Sequence, residues 1–150
     1  MTIELYNDDF KDQIIAIWEK SVRATHNFLK PADIDYYKKI VNTIDFNSFT
    51  VYCALTDDRR LIGFIGVSGS KIEMLFLDPK YIGQGVGKLL MIVAMTELKA
   101  TEVDVNEGNI NAVKFYTRFG FTPYERTPTD SEGKEYPILK MKLANVPPSN

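Results

Sequence analysis

The stretch that decides the fold is residues 75–88, which reads Leu-Phe-Leu-Asp-Pro-Lys-Tyr-Ile-Gly-Gln-Gly-Val-Gly-Lys. It joins an apolar strand to a helix, and glycines occupy every second position, at Gly83, Gly85 and Gly87, where the helix begins. Such spacing lets successive amide N–H groups point into one concavity, and the helix N-terminus adds the positive end of its dipole. The pattern therefore predicts a phosphate-binding loop, with a pyrophosphate as its ligand.

Two common phosphate loops do not fit this spacing. A P-loop requires Gly five residues before the Gly-Lys pair and Ser or Thr after it, but Ile82 and Leu89 stand at those positions. A dinucleotide-binding fingerprint would require Gly in place of Lys88 or Leu90, and it normally lies in the first βα unit. A tight strand-to-helix connection without a ligand remains an alternative when the loop is taken alone.

The composition indicates one globular domain. The chain has 150 residues, of which 45% are hydrophobic and 25% are charged, and this suits a domain with a sizeable core. A net charge of −2 argues against nucleic-acid or anionic-membrane partners, because both attract basic surfaces. The longest apolar run, residues 89–95, is too short to cross a bilayer, and no apolar leader segment opens the sequence. We therefore expect a cytoplasmic protein.

The only cysteine and the only histidine give no metal-ligand spacing together with the scattered carboxylates, so we expect no metal site. Cys53 lies in an apolar run and is interpreted as a buried small hydrophobic residue.

Hydrophobic periodicity predicts one strand, two helices, a three-strand meander, a helix, a strand, a helix and a final pair of strands. We expect strands at residues 2–6, 49–55, 61–67, 72–77, 102–105, 121–126 and 136–143, and helices at residues 8–22, 31–41, 85–99 and 109–119. Residues 21–29 are expected to form a loop or a broken helix, and residues 146–150 a flexible tail.

Further motifs follow the loop in a fixed order. The strand ends in Leu-Phe-Leu-Asp-Pro, a later helix begins Asn109-x-x-Ala112-x-x-x-Tyr116, and Gly120-Phe121 closes that helix. Together with the loop, these motifs resemble the GNAT superfamily of acetyl-CoA-dependent N-acetyltransferases, and the resemblance covers essentially the whole chain. Residues 18–29, which read Trp-x-x-Ser-Val-x-Ala-Thr-His-x-Phe-Leu, are similar to a small bacterial GNAT subgroup.

The resemblance implies an α/β (α+β) fold and a coenzyme A ligand. We expect a single domain at residues 1–145, with a central, mixed, mostly antiparallel twisted sheet of about six to seven strands and about four flanking helices. The implied donor is acetyl-CoA. The residues implied to bind it are Leu75, Phe76, Leu77, Ile82, Gly83, Gln84, Gly85, Val86, Gly87, Lys88, Asn109, Ala112 and Tyr116. The family loop usually begins with Arg or Gln, so Ile82 is expected to cost one peripheral phosphate contact.

Acetyl transfer to an amine requires a neutral amine, a stabilised oxyanion and a proton for the departing thiolate. Tyr116 is the candidate acid, because a phenol with a pKa of about 10 is protonated at neutral pH; a core residue at helical spacing is the alternative interpretation. The base is open between Glu73, the only charged residue of its strand segment, and His26, the only histidine. Each of these two residues also has an ordinary structural interpretation.

The acceptor is not specified by the sequence. The candidate substrate-binding residues are Arg23, His26, Phe28 and Asn106, and an aromatic and basic lining would suit a small amine, an amino acid or a peptide. No Ser-His-Asp or Cys-His pattern is recognisable, so we expect direct transfer to a primary amine in a ternary complex. A coenzyme-A-binding sensor or regulatory module without efficient turnover is the alternative, and both a monomer and a homodimer remain open.

Overall fold

A computed structural model of the chain describes residues 1–144. The described residues form seven strands and four helices, and two short 3-10 helices at Asp8–Phe10 and Pro79–Tyr81. The strands are β1 (Thr2–Leu5), β2 (Thr50–Leu55), β3 (Leu61–Ser68), β4 (Lys71–Leu77), β5 (Glu102–Asn106), β6 (Phe121–Thr127) and β7 (Ile138–Leu143). The helices are α1 (Lys11–Thr25), α2 (Pro31–Val41), α3 (Val86–Thr96) and α4 (Ile110–Arg118). The tail expected at residues 146–150 lies outside the described residues.

All seven strands belong to one sheet, in the order β1-β2-β3-β4-β5-β7-β6. Every neighbouring pair is antiparallel except β4 and β5, which run parallel. Strand β3 is central and contributes seven consecutive buried residues, 61–67, because both of its faces are covered. The predicted mixed, mostly antiparallel sheet in a single α/β (α+β) domain is confirmed.

Helices cover both faces of the sheet. On one face α3 and α4 pack over a core that includes Leu90 and Phe121, both fully buried. On the other face α1 and α2 cover a second core that includes Ile14 and Phe64. Cys53 is fully buried in this second core, which confirms its interpretation as a hydrophobic residue. Within residues 1–144, no helix has both the length and the apolar character needed to span a membrane.

Helix α1 ends three residues later than expected. The spacing predicted an end near Val22, but the helix continues to Thr25, and the His26 N–H still donates to the Val22 carbonyl at 2.8 Å. The Thr25 hydroxyl also donates to the Ser21 carbonyl at 2.7 Å, which closes the last turn. This extension places His26 at the helix terminus instead of in a loose loop.

Two other boundaries also differ from the expectation. Helix α3 stops at Thr96, short of the expected residue 99, because Lys99 adopts a left-handed backbone with φ of 54°. Strand β7 begins at Ile138, two residues later than expected. Pro137 lacks the N–H that a ladder needs, and Tyr136 uses its side chain to bond Asp33 of α2.

The parallel contact between β4 and β5 is short. The two strands pair only at Lys71 with Glu102 and at Ile72 with Val103, and beyond these positions they diverge. A gap therefore opens in the middle of the sheet, between the second half of β4 and the second half of β5.

A β-bulge lies where the gap begins. In the β3–β4 ladder, Ile72 and Met74 oppose successive β3 residues, so Glu73 is an extra residue. The bulge changes which face the following side chains take. Ile72 and Leu75 pack on the α3/α4 side although they are three residues apart, whereas Met74 and Phe76 pack on the α1/α2 side.

Candidate active site

Two clefts meet at the bulge in β4. The larger cleft, of about 570 Å³, lies between α1, α2, the sheet and the β6–β7 connection. The smaller cleft, of about 190 Å³, lies between the diverging ends of β4 and β5, next to α4. The residues that line both clefts are His26, Glu73, Met74, Phe76 and Asn106. A ligand in one cleft can therefore reach a ligand in the other.

The smaller cleft exposes a free strand edge. The Asp78 N–H donates to the Ile62 carbonyl of β3 at 2.8 Å. Because successive backbone groups of a strand point to opposite sides, the N–H and C=O groups of Leu75 and Leu77 point away from β3 and into the gap. An extended ligand with amide groups can add to this edge as a further strand, as expected for the pantetheine arm.

Tyr116 lies at the wall of the smaller cleft. Its side chain is 7% exposed, and its ring packs edge-on against Phe115 and Phe121 at centroid distances of 5.3 and 5.9 Å. Burial raises the pKa of the Tyr116 phenol above its ordinary value of 10, so the hydroxyl is protonated at neutral pH. The residue can therefore donate a proton to an atom held in this cleft.

Asn109 and Ala112 also line the smaller cleft, at the start of α4. The Asn109 side-chain oxygen caps the helix by accepting from the Ala112 N–H at 3.2 Å. Its amide NH₂ group is a separate donor, so the cap leaves Asn109 able to bond a ligand as well.

The glycine loop leads into the N-terminus of α3. Gly83 and Gly85 have φ angles of 82° and 84°, and a Cβ added at either position would meet no atom within 4 Å. These two glycines are needed for their left-handed backbone, and the space above them is open. The first intrahelical bond is made by the Leu89 N–H to the Gly85 carbonyl at 3.1 Å. The amides of Val86, Gly87 and Lys88 thus remain free for a phosphate.

Side chains contribute little to this loop. Gln84 donates back to the Lys80 carbonyl at 2.9 Å and so holds the loop together. Ile82 is 52% exposed and Lys88 is exposed. Backbone N–H groups are therefore the main candidate hydrogen-bond donors to a phosphate here, and the effect of Ile82 on affinity stays a prediction.

Both candidate bases lie where the clefts join. Glu73 projects from the bulge and is exposed. His26 is partly buried, and its desolvation lowers the pKa of the imidazole from 6.5 to about 4. The His26 Nδ1 atom lies 2.8 Å from the Thr25 hydroxyl oxygen. The structure thus brings Tyr116, Glu73, His26 and Asn106 to one place.

Two predicted substrate-binding residues lie elsewhere. Arg23 follows the buried Val22 on α1 and points outward, where it bonds Glu19 and Asp35, each at 2.9 Å. Phe28 lines neither cleft: a Cβ on Gly108 would meet its ring at 2.7 Å, so it fills the space above that glycine. Arg23 therefore faces solvent in this structure, and its part in binding the acceptor, like that of Phe28, stays a prediction.

Acidic residues line the larger cleft, and two of them carry no sequence motif that indicates this position. Asp130 and Glu132 of the β6–β7 connection line it together with Glu73, and among the described residues no Lys or Arg does. Hydrogen bonds from α2 hold the connection in place: the Tyr37 hydroxyl donates to Asp130, and the Tyr36 hydroxyl donates to Glu132 at 2.9 Å. These contacts span more than 90 residues of sequence, so no local pattern reveals them.

Among residues 1–144, no three His, Cys, Asp or Glu side chains are grouped so that they could bind a metal ion. The chemistry of the site is that of a proton donor and proton acceptors around an open strand edge.

Comparisons with known proteins agree with this geometry. A peptidyl-lysine N-acetyltransferase of Salmonella typhimurium, YjaB, is 38% identical over 87% of this chain and 89% of its own length. Its Escherichia coli counterpart is 33% identical over 87% of this chain and 88% of its own length. The solution structure of apo-form YjaB from Escherichia coli superimposes with a TM-score of 0.87, at 30% identity, over 97% of this chain and 98% of that one.

A more distant structure shares the fold. The PaiA N-acetyltransferase of Thermoplasma acidophilum, solved in complex with coenzyme A, has a TM-score of 0.71 and 22% identity over 95% of this chain and all of that one (100%). Residues 11–144 of this chain match the acetyltransferase (GNAT) domain family. The chain belongs to the GNAT family and is an N-acetyltransferase that uses acetyl-CoA as its donor.

Proposed function

We propose that the protein acetylates the side-chain amine of a peptidyl lysine, by direct transfer in a ternary complex. The observation that carries this proposal is the larger cleft, which three carboxylates line and which opens onto the smaller cleft at Glu73. Lysine has a pKa of about 10.4 and approaches as a cation, so an acidic cleft raises its local concentration. A free amino acid would place its own carboxylate against these acids.

The shape of the larger cleft supports a slender apolar stem with a charged end. Aromatic and aliphatic side chains, among them Trp18, Phe49 and Phe76, form much of its wall. The four methylenes of a lysine can lie along such a wall while the nitrogen reaches the bulge. The names of the two YjaB relatives, both peptidyl-lysine N-acetyltransferases, support the same acceptor.

Within this proposal each element has one task. Acetyl-CoA supplies the activated acetyl group as a thioester. The α3 N-terminus and glycine loop bind its pyrophosphate, and the free edge at Leu75 and Leu77 binds its pantetheine and offers N–H groups to the carbonyl oxygen. The Tyr116 hydroxyl gives its proton to the sulfur as the C–S bond breaks. Asn109 adds an amide contact.

An acceptor panel tests the proposal through the thiol that each turnover releases. The test peptide has a blocked N-terminus and one lysine, and a matched peptide has a free N-terminus and no lysine. We expect turnover of the first peptide and little of the second. Turnover of the free α-amine alone would refute the lysine assignment. If acetyl-CoA stabilises the protein but no amine is turned over, the result would instead support a sensor module. A ligand at 100 times its Kd should raise the free energy of unfolding by about 2.7 kcal/mol.

A further inference from the structure

The hydrogen bonds at the end of α1 determine which nitrogen of His26 carries its proton. The Thr25 hydroxyl oxygen lies 2.7 Å from the Ser21 carbonyl oxygen and 2.8 Å from His26 Nδ1. A carbonyl can only accept, and a hydroxyl has only one proton, so Thr25 donates to Ser21. His26 Nδ1 must then be the donor in the second bond. In a neutral imidazole this leaves Nε2 with a free lone pair.

The free nitrogen belongs to a residue that lines both clefts. The rings of Phe28 and Phe76 pack beside the imidazole at centroid distances of 5.4 and 6.5 Å. This apolar contact disfavours the charged imidazolium, so the neutral form prevails at physiological pH.

The other titratable groups that line the two clefts are four carboxylic acids and two phenols. They are Glu73 on β4, Asp104 on β5, Asp130 and Glu132 in the β6–β7 connection, Tyr37 on α2 and Tyr116 on α4. Asp104 is paired with Lys71 at 2.7 Å, whereas Glu73, Asp130 and Glu132 line the larger cleft. These negative charges favour a cation in the clefts, where the ammonium group of the acceptor approaches.

We propose that His26 Nε2 is the atom that takes the proton from the acceptor amine, and that Thr25 is a positioning residue that fixes the required tautomer. The inference rests on the proposed acetyl transfer. The amine first loses one proton to solvent. Its nitrogen then bonds the acetyl carbon, the carbon–sulfur bond breaks, and the sulfur receives the Tyr116 proton. The surplus proton on nitrogen passes to Nε2, which then releases it to solvent, and solvent returns a proton to Tyr116.

This assignment divides the work between the two candidate bases. Glu73, exposed at the bulge, attracts and holds the ammonium group. His26 receives the proton during transfer. Neutralising Glu73 should therefore act mainly on KM for the peptide, whereas replacing His26 should act mainly on kcat.

Nitrogen NMR of the ligand-free protein tests the tautomer directly, because His26 is the only histidine in the chain. We expect the protonated nitrogen to be Nδ1 at pH 7 in the native sequence and in Thr25→Ser. In Thr25→Val, which removes the accepting oxygen, we expect this preference to be lost. A proton on Nε2 in the native sequence would overturn the proposal, whether or not any variant folds.

Kinetics on the lysine peptide supply the second readout. Thr25→Val and His26→Gln should each lower kcat ten-fold or more with little change in KM, and Thr25→Ser should restore kcat. If Thr25→Val and His26→Gln both keep the kcat of the native enzyme on the lysine peptide, the role of His26 is refuted and the acetyltransferase proposal survives. If no variant and no native enzyme turns over the peptide, the proposed function has failed, and the NMR result still decides the tautomer.

Discussion

The low pKa of His26 should make folding stability depend on pH in a way that a single substitution removes. The pKa of this imidazole is about 4 in the folded protein and about 6.5 in the unfolded chain. Between these values the unfolded state binds more protons than the folded state, so stability is complete above pH 6.5 and falls as the pH drops toward 4. The Gln side chain of His26→Gln does not titrate in this range.

The size of the effect follows from the two pKa values. The difference between the two pKa values corresponds to a loss of about 3 kcal/mol in the free energy of unfolding once the pH is below 4. Of this loss, about 2 kcal/mol occurs between pH 7.5 and pH 5. Domains of this class have unfolding free energies of about 5–15 kcal/mol, so the loss is large enough to measure.

Urea unfolding at pH 7.5 and pH 5.0 measures this loss. The carboxylates titrate alike in all variants, so the comparison isolates His26. We expect the native protein and the neighbouring control Asn27→Gln to lose about 2 kcal/mol more than His26→Gln over this interval. Equal losses in all three proteins would show that His26 is as readily protonated in the folded state as in the unfolded one, and would refute the argument from burial.

Three further outcomes are expected. Gly85→Ala should lower the free energy of unfolding by about 1–2 kcal/mol, because φ at this position is 84°. The same variant should bind acetyl-CoA more weakly in a thermal-shift titration. Gly87→Ala is the control and should leave the free energy of unfolding unchanged, because its added Cβ would meet other atoms only at 3.5 Å or beyond. Tyr116→Phe should lower kcat ten-fold or more in the released-thiol assay with acetyl-CoA affinity nearly unchanged. Glu132→Gln should raise KM for a lysine peptide about two- to five-fold, whereas Glu135→Gln, outside the cleft, should not.

The local geometry of the candidate donor site was largely predictable from the sequence because it depends on neighbouring residues, and the binding of acetyl-CoA by these residues stays a prediction. Backbone conformation at Gly83 and Gly85, the cap formed by Asn109, and the helical position of Tyr116 are each set by a few neighbouring residues. Local spacing is enough to place such residues relative to their own helix or turn.

The acceptor side was not predictable because it depends on contacts between distant segments. Arg23 was expected in the cleft, but its position on α1 and its bonds to Glu19 and Asp35 hold it outside. The acids of the β6–β7 connection are held at the cleft by hydrogen bonds from tyrosines of α2, more than 90 residues away in the sequence. The bulge at Glu73 likewise arises from register with β3, which the sequence of β4 alone does not specify.

The two-position contact between β4 and β5 has a consequence for the integrity of the domain. The sheet consists of a four-strand half and a three-strand half whose ladders share only a short seam. A pantetheine arm bonded along the free edge of β4 would extend that seam from within, so the donor would be part of what holds the halves together. Supply of acetyl-CoA would then govern local opening as well as turnover, and amides near the seam should exchange hydrogen most slowly in the loaded enzyme.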